Sequence, residues 1–436
     1  MKTEIAELPL ALPGSPEEIA DIQRLRKPIA FENAKRAPFW KGKLDHINPA
    51  KLDDPEEWAK IPILDKEQLR LLSTEEFYEG FCTARQQDIC EYWRSGGSTG
   101  RPLFYPKTYE DILYNMVGFA RTFECTGTGP GNVAHVSFPL GIHPAGHMWA
   151  RAARIQGIGA IWAGAGSSLP SAIQLELIRT MKPTVWMGMS SYGLHLANLA
   201  AAEGIDLVNG SVERILCTAE PLSAAKRAKL ERDWGADVFD TFGMTECSMM
   251  GAEGPGRDGF HIWTDLAFIE VLDEETMKPV DEGEPGVLVV SPLFSNNGAA
   301  FIRWNSGDIV TWRRQGRSGS GYDVFPVIKH AHRTAGFFKI RGVNINHQEF
   351  EDFVFEMTEV NDFKAELVTG PDGTDRFALS IEVRPDCDSA AVSAELLART
   401  KRVFEVTADI SVLAVGTLAR EFESSVKAPR FADKRK

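Results

Sequence analysis

Residues 184–246, TVWMGMSSYGLHLANLAAAEGIDLVNGSVERILCTAEPLSAAKRAKLERDWGADVFDTFGMTE, decide the fold. Three short runs rich in aliphatic and aromatic residues, TVWMGM (184–189), RILCTA (214–219) and DVFDTF (237–242), alternate with two helical stretches, GLHLANLAAAEG and LSAAKRAKLERDWG. Strands separated by helical crossovers run parallel, with helices covering the faces of the sheet. Upstream, VAHVSF (133–138) and IGAIWA (158–163) add two strands and PSAIQLELIRTM another helix, so the α/β zone spans roughly residues 131–243. In such sheets ligands bind at the carboxyl ends of the strands.

Outward from this zone the pattern changes. Between about 264 and 328 the runs LAFIEVLD, GVLVVSP, FIRW, DIVTWR and YDVFPVI are separated by Gly, Pro, Asp and Asn, which reads as an antiparallel meander or barrel. The last hundred residues read as a compact α+β unit: KIRGVNI, the helix HQEFEDFVFEM, the strands KAELVTG and RFALSIEV, the helix SAAVSAELLARTKRVFE, and ISVLAV. The tail EFESSVKAPRFADKRK lacks apolar periodicity and is expected to lie over a surface or cleft. At the other end, SPEEIADIQRLRKPIAFENAKRA opens with a Ser-Pro-Glu-Glu cap signature and continues at helical spacing. The fold class is therefore α/β: a large N-terminal domain (1–332) with a parallel sheet and a β-rich subdomain (264–328), and a small C-terminal α+β domain (333–436).

Composition narrows the function. With 436 residues, 43% hydrophobic and 25% charged, the chain is globular and exceeds one ordinary domain. The 48 basic and 61 acidic residues give a net charge of −13, which disfavours general nucleic-acid binding, since neutralising phosphates needs a basic face. No apolar run approaches the roughly 20 residues of a membrane helix, and the acidic N-terminus makes a poor signal peptide. Six cysteines lie scattered without CxxC spacing, so neither a disulfide framework nor a zinc ribbon is indicated. The expectation is a cytoplasmic protein with no membrane or nucleic-acid partner.

Several local motifs carry chemistry. Arg94-Ser95-Gly96-Gly97-Ser98-Thr99-Gly100-Arg101-Pro102 combines glycines, which let successive backbone N–H groups face one anion, with hydroxyl donors. Walker spacing is absent from it, and GTGPGN (127–132) has the wrong spacing for a dinucleotide turn, which argues against a nicotinamide dehydrogenase. Phe242-Gly243-Met244-Thr245-Glu246 follows a parallel strand, so it puts a hydroxyl and a hard oxygen ligand suited to Mg²⁺ where ligands bind. In Arg303-Trp304-Asn305-Ser306-Gly307-Asp308 a carboxylate after a tight turn can accept two hydrogen bonds from a ribose diol. HRTAGFFKIRG (332–342) marks the passage to the α+β unit, and Lys427 stands on the tail. Taken singly, each could be an ordinary turn, cap or solvated charge.

In their order and spacing these motifs resemble the adenylate-forming superfamily, and within it the phenylacetate–CoA ligase family. PILDK (62–66), RSGGSTGRP, CTAEPLS (217–223), FGMTE, IRWNSGDIV, HRTAGFFKIRGVNINHQEFE and ESSVKAPRFADKR are similar to seven family segments, almost from end to end. The resemblance implies an acid–thiol ligase. A carboxylate attacks the ATP α-phosphate, giving an acyl-adenylate and pyrophosphate, and coenzyme A then displaces AMP. It further implies that Ser95, Gly96, Gly97, Ser98, Thr99 and Gly100 cradle the β- and γ-phosphates, with Arg101 adding charge. Thr245 reaches the α-phosphate, and Glu246 holds Mg²⁺. Thr218, Ala219 and Glu220 line the adenine, beside the segment Asp240, Thr241, Phe242, Gly243 and Met244. Asp308 and Arg333 grip the ribose, and Lys427 bridges the substrate carboxylate and the α-phosphate. In the family the small C-terminal domain is mobile: its rotation withdraws the lysine and brings Lys339, Arg341 and Gly342 to the thiol site. Phe138, Pro139, His143, Ser191, Tyr192 and Gly243 match the acyl pocket, which points to an aromatic or arylalkyl acid. The resemblance also allows a homodimer.

The chain departs from the family pattern in places. Ala335 and Gly336 replace an acidic hinge pair, Val426 replaces the glycine before the tail lysine, and Trp304 replaces a tyrosine. His261 remains from a cysteine–histidine cluster that some relatives carry, but glycine stands where cysteine would, so no structural zinc is expected. His143 and His147 form an HxxxH pair near His135 without a third ligand at suitable spacing, so pocket or surface roles are preferred over a metal. Two alternatives stay open: transfer of the acyl group to an amine or carrier-protein thiol, and a non-catalytic ATP- or acid-binding relative.

Overall fold

The computed structural model describes residues 10–94, 103–166, 168–332, 337–340, 343–370, 374–423 and 430–435. They group into two compact units, one built from Met1–Gly131, Leu140–Gly159 and Phe239–Arg333, the other from Asn132–Pro139, Ala160–Val238 and Thr334–Lys436.

In the first unit the helix Pro16–Lys35 begins where the cap signature places it, with the Ser15 side chain accepting a bond from the Glu18 N–H and proline at its first position. The strands Ala267–Leu272, Gly286–Pro292, Trp304–Arg313 and Val327–His332 pair antiparallel in chain order. The last of these continues through Phe260–Ile262 and Ser248–Glu253 to Asp237–Met244, again antiparallel. A core containing Phe31, Trp40, Phe81, Tyr105, Phe301 and Trp304 closes against this sheet. Two expectations need correction. Antiparallel pairing starts at Ser248, well before residue 264, because the chain turns back directly after Met244. YDVFPVI is not one strand. Gly321–Val324 is a helical turn capped by Ser320, and pairing resumes only at Val327, beyond Pro326, which has no N–H to give.

In the second unit Arg214–Cys217, Val185–Gly188, Val133–Val136 and Gly159–Trp162 lie side by side in that order, and the first three pair parallel. The helices Ser171–Met181, Ser190–Glu203 and Ala224–Trp234 connect them, close to the predicted spans. The α+β elements form a sheet ordered Ala408–Leu413, Asp375–Val383, Val360–Thr369 and Phe431–Asp433, with helices His347–Phe355 and Ser389–Phe404. The tail therefore does more than lie over a surface. Phe431–Asp433 pairs parallel with Val360–Thr369, and the Phe431 ring stacks on His347 at 4.3 Å. Just before it, buried Arg430 donates to Asp362 at 2.8 Å. A buried chain of charge continues from there: Glu351 meets Arg430 at 3.5 Å and Lys226 at 2.8 Å, while Asn198 donates to Asp362 at 2.8 Å. These pairs fasten the α+β elements to the helices Ser190–Glu203 and Ala224–Trp234. Removing one partner of such a pair typically costs about 3–5 kcal/mol, because the other charge stays buried.

Candidate active site

In the first unit the strands Ile89–Arg94 and Phe104–Thr108 pair antiparallel, with Arg94 opposite Phe104, so they form the stem of the serine- and glycine-rich segment. That stem is bonded to the FGMTE turn. Tyr105 Oη donates to Glu246 Oε1 at 3.1 Å, and Lys107 Nζ donates to the Glu246 carbonyl oxygen at 3.1 Å. Glu246, Tyr105 and Lys107 are all buried. Burial pushes the Lys107 ammonium below its ordinary range, opposed by the nearby Asp111, Cys247 and Glu246. Asp111 anchors the base of the stem: its carboxylate accepts from Thr108 N, Asn297 N, Asn297 Nδ2 and Gly298 N. The sequence carries no signal for Tyr105 or Lys107, since the YPK of the strand Phe104–Thr108 belongs to no motif of its own.

The FGMTE turn has a backbone requirement of its own. A Cβ on Gly243 would sit 2.7 Å from the Ser248 carbonyl oxygen across the hairpin, so glycine permits the close approach that sets Thr245 and Glu246 at its tip. Phe242 packs against Phe260 and His330, and Asp240 accepts a bond from the Thr241 N–H while its own N–H donates to Glu253. Asp308 is buried on the strand Trp304–Arg313 behind Gly307, whose φ is +74°. Arg303 has a structural role, since its guanidinium pairs with Glu270 at 2.9 Å and donates to the Ala59 and Ile61 carbonyls. The Leu64 of PILDK bridges Trp304 in parallel, which brings two distant family-like segments together. His143 precedes the helix Pro144–Ile155, and His147 Nε2 lies 3.0 Å from the Gly141 carbonyl. Buried His261 lies with Nδ1 2.9 Å from the Tyr322 carbonyl.

In the second unit three predicted segments follow parallel strands at the carboxyl edge of the sheet: Phe138 and Pro139, Ser191 and Tyr192, and Thr218 through Glu220. Ala219 carries a φ of +72°, the left-handed region that costs a non-glycine residue energy and clusters at functional sites. The carboxylate of Glu220 caps the helix Ser190–Glu203, accepting from Ser190 Oγ at 2.6 Å, Ser191 Oγ at 3.0 Å and the Ser191 N–H. Burial alone would raise this carboxyl, but the Lys226 charge and the three donors hold it below the usual carboxylate range. Glu220 is thus committed to the helix terminus. Lys339 pairs with Asn344 in a hairpin, and its carbonyl accepts from Arg435 at 2.9 Å. Ser95, Gly96, Gly97, Ser98, Thr99, Gly100, Arg101, Arg333, Arg341, Gly342 and Lys427 lie outside the described residues.

Beneath the second unit's pocket candidates runs a buried polar network. His135 Nε2 meets Gln174 Oε1 at 3.1 Å, Ser137 Oγ donates to the same oxygen at 2.7 Å, and Gln174 Nε2 donates to Tyr192 Oη at 3.0 Å. The Tyr192 ring stacks between Trp186 and His195, so both its face and its hydroxyl are held. Burial pushes the His135 imidazole down to about 4, from an ordinary value of 6.5. Unfolded His135 therefore takes up a proton that the folded chain refuses between those values. The stability it allows is complete above pH 6.5 and falls as pH drops towards 4, by up to about 3 kcal/mol. Denaturant titrations across this window should show that loss, and His135→Gln should remove the share due to this residue.

Among the described residues no group of three or more His, Cys, Asp or Glu side chains could hold a metal, and no helix is long and apolar enough to cross a membrane. Parallel strands in one unit and antiparallel strands in the other define a mixed α/β architecture. A model of the AMP-binding enzyme family matches residues 45–292, more than half of the sequence, and the chain belongs to that family. It is 26% identical over 402 residues to a phenylacetate-coenzyme A ligase of Pseudomonas putida, covering 89% of this chain and 87% of that protein. The phenylacetate-coenzyme A ligase of Escherichia coli K12 is 24% identical over 442 residues, covering 97% and 96%. A crystal structure of 2-hydroxyisobutyryl-CoA ligase in the postadenylation state with 2-HIB-AMP shares the fold, with a TM-score of 0.80, 24% identity, and 96% and 89% of the two chains covered.

Proposed function

We propose that this protein is an ATP-dependent carboxylic acid–CoA ligase acting on an aromatic or arylalkyl acid through an acyl-adenylate. The observation that carries the reading is the bonding of the serine–glycine hairpin stem to the Glu246 turn through Tyr105 and Lys107. It joins, within one unit, a strand that flanks a segment of phosphate-cradling composition and a carboxylate suited to a magnesium ion. Relatives named as phenylacetate-coenzyme A ligases, matched over most of their length, support the acid and thiol specificity.

Glu246 fits a magnesium site. Tyr105 holds Oε1, and magnesium is commonly bound by one or two carboxylates together with substrate phosphates. The ion, when bound, would neutralise charge on the triphosphate. Ser95 through Arg101 bind the β- and γ-phosphates, Thr245 orients the α-phosphate, and Asp308 with Arg333 holds the ribose. Lys427 brings the acid's carboxylate to the α-phosphorus, where one carboxylate oxygen forms the new P–O bond and pyrophosphate leaves. The C-terminal α+β elements then reposition, and Lys339, Arg341 and Gly342 serve the thiol step, in which the coenzyme A sulfur displaces AMP from the acyl carbon. Phe138, Pro139, His143, Ser191, Tyr192 and Gly243 shape the acyl pocket.

The test is pyrophosphate release across benzoate, phenylacetate, cinnamate, indoleacetate and medium-chain fatty acids, with and without coenzyme A. Release that needs an aromatic acid, with thioester formed only when coenzyme A is present, supports the reading. Thioester-free product with an amine or a carrier protein would redirect the acceptor, and silence with every acid would refute the activity.

A further inference from the structure

The helix Thr417–Phe422 ends five residues before Lys427, and the residue that follows it, Glu423, has an anchored side chain. Its Oε1 accepts the Ser171 N–H at 2.7 Å, at the first position of the helix Ser171–Met181. Its Oε2 lies 2.9 Å from His195 Nε2 on the helix Ser190–Glu203. A carboxylate only accepts, so that nitrogen carries the proton. Ser171 Oγ stands 3.0 Å from the same nitrogen and 2.9 Å from Tyr192 Oη, which ties the contact to the network that holds Tyr192. The backbone is equally close, since a Cβ on Gly166 would lie 2.7 Å from the Glu423 carbonyl oxygen.

The helix Ser190–Glu203 follows the parallel strand Val185–Gly188, so its N-terminal turn lies at the carboxyl edge of the sheet, where ligands bind. The carboxylate complements the partial positive charge of a helix start. From Glu423 the chain reaches at most about 14 Å to Lys427.

Building on the ligase reading above, we infer that Glu423 is a positioning residue for the first half-reaction: it pins the base of the lysine-bearing tail to Ser171 and His195 at the sheet's ligand edge. In this role the contact serves adenylate formation and is dispensable once the lysine has done its work. A residue that merely stabilised the fold would lower both half-reactions together. Glu423 separates them.

The experiment measures acid-dependent ATP–pyrophosphate exchange, and thioester formation from pre-made acyl-adenylate with coenzyme A, on the same preparation, so that their ratio is insensitive to any unfolded fraction. Glu423→Ala should cut exchange by about 10-fold or more while changing thioester formation by less than about twofold, as expected for lost orientation of a reacting group. Glu423→Gln keeps an acceptor for the Ser171 N–H and should restore exchange to within about threefold of the parent. Parallel losses in both half-reactions, or no loss in either, would overturn the inference while leaving the ligase reading intact. A parent protein with no exchange for any acid would instead remove the reading, and this inference with it.

Discussion

Lys427→Ala is expected to abolish acid-dependent ATP–pyrophosphate exchange, by about 100-fold or more, yet to leave thioester formation from pre-made acyl-adenylate within a few-fold of the parent. The first step brings an anionic carboxylate against an anionic triphosphate, and a preorganised ammonium offsets that repulsion only while the P–O bond forms. The second step, thiolysis of a neutral acyl carbon, makes no such demand. In the described neighbours of the tail the outlay is visible: Arg430 is buried in ion pairs and Phe431 is locked in the sheet on one side, and Glu423 is bound on the other. Fixing both flanks of a short segment makes sense if one side chain within it must be aimed. Unchanged exchange in the variant would mean that the lysine is an ordinary surface charge.

Glu246→Ala should be nearly as severe in the same half-reaction, about 100-fold, with affinity for the acid measured without nucleotide little altered. The carboxylate is buried and held by Tyr105, so it is oriented before any ligand arrives. Tyr105→Phe removes that bond while leaving the carboxylate, and should produce a smaller loss that raised magnesium partly reverses. If Glu246→Ala weakens nucleotide-dependent and acid binding equally, the change has damaged the hairpin instead of the chemistry.

The parts of the molecule legible in the sequence are those that local periodicity controls. The strands of the α/β zone alternate with helices whose apolar spacing is plain, and GLHLANLAAAEG became Ser190–Glu203 almost unaltered. For the candidate site, the serine–glycine segment, FGMTE and the Asp308 turn each keep a recognisable local composition. What stayed hidden depends on partners far along the chain. Tyr105 and Lys107 gain meaning only by meeting Glu246 some 140 residues away. Glu220 sits in an adenine-like segment, but its carboxylate answers to the start of another helix. YDVFPVI has strand-like composition, and the Ser320 cap with the proline at 326 overrode it. Three residues at 431–433 are too few to show a period, so their pairing with Val360–Thr369 is a tertiary fact.

The most direct test follows an oxygen atom. The enzyme is given ATP, coenzyme A and an aromatic acid labelled with oxygen-18 in its carboxylate, and the nucleotide product is weighed by mass spectrometry. An acyl-adenylate route requires AMP carrying one labelled oxygen, because the bond to phosphorus made in the first step survives when sulfur attacks the acyl carbon. Unlabelled AMP, or ADP with labelled phosphate, would contradict it.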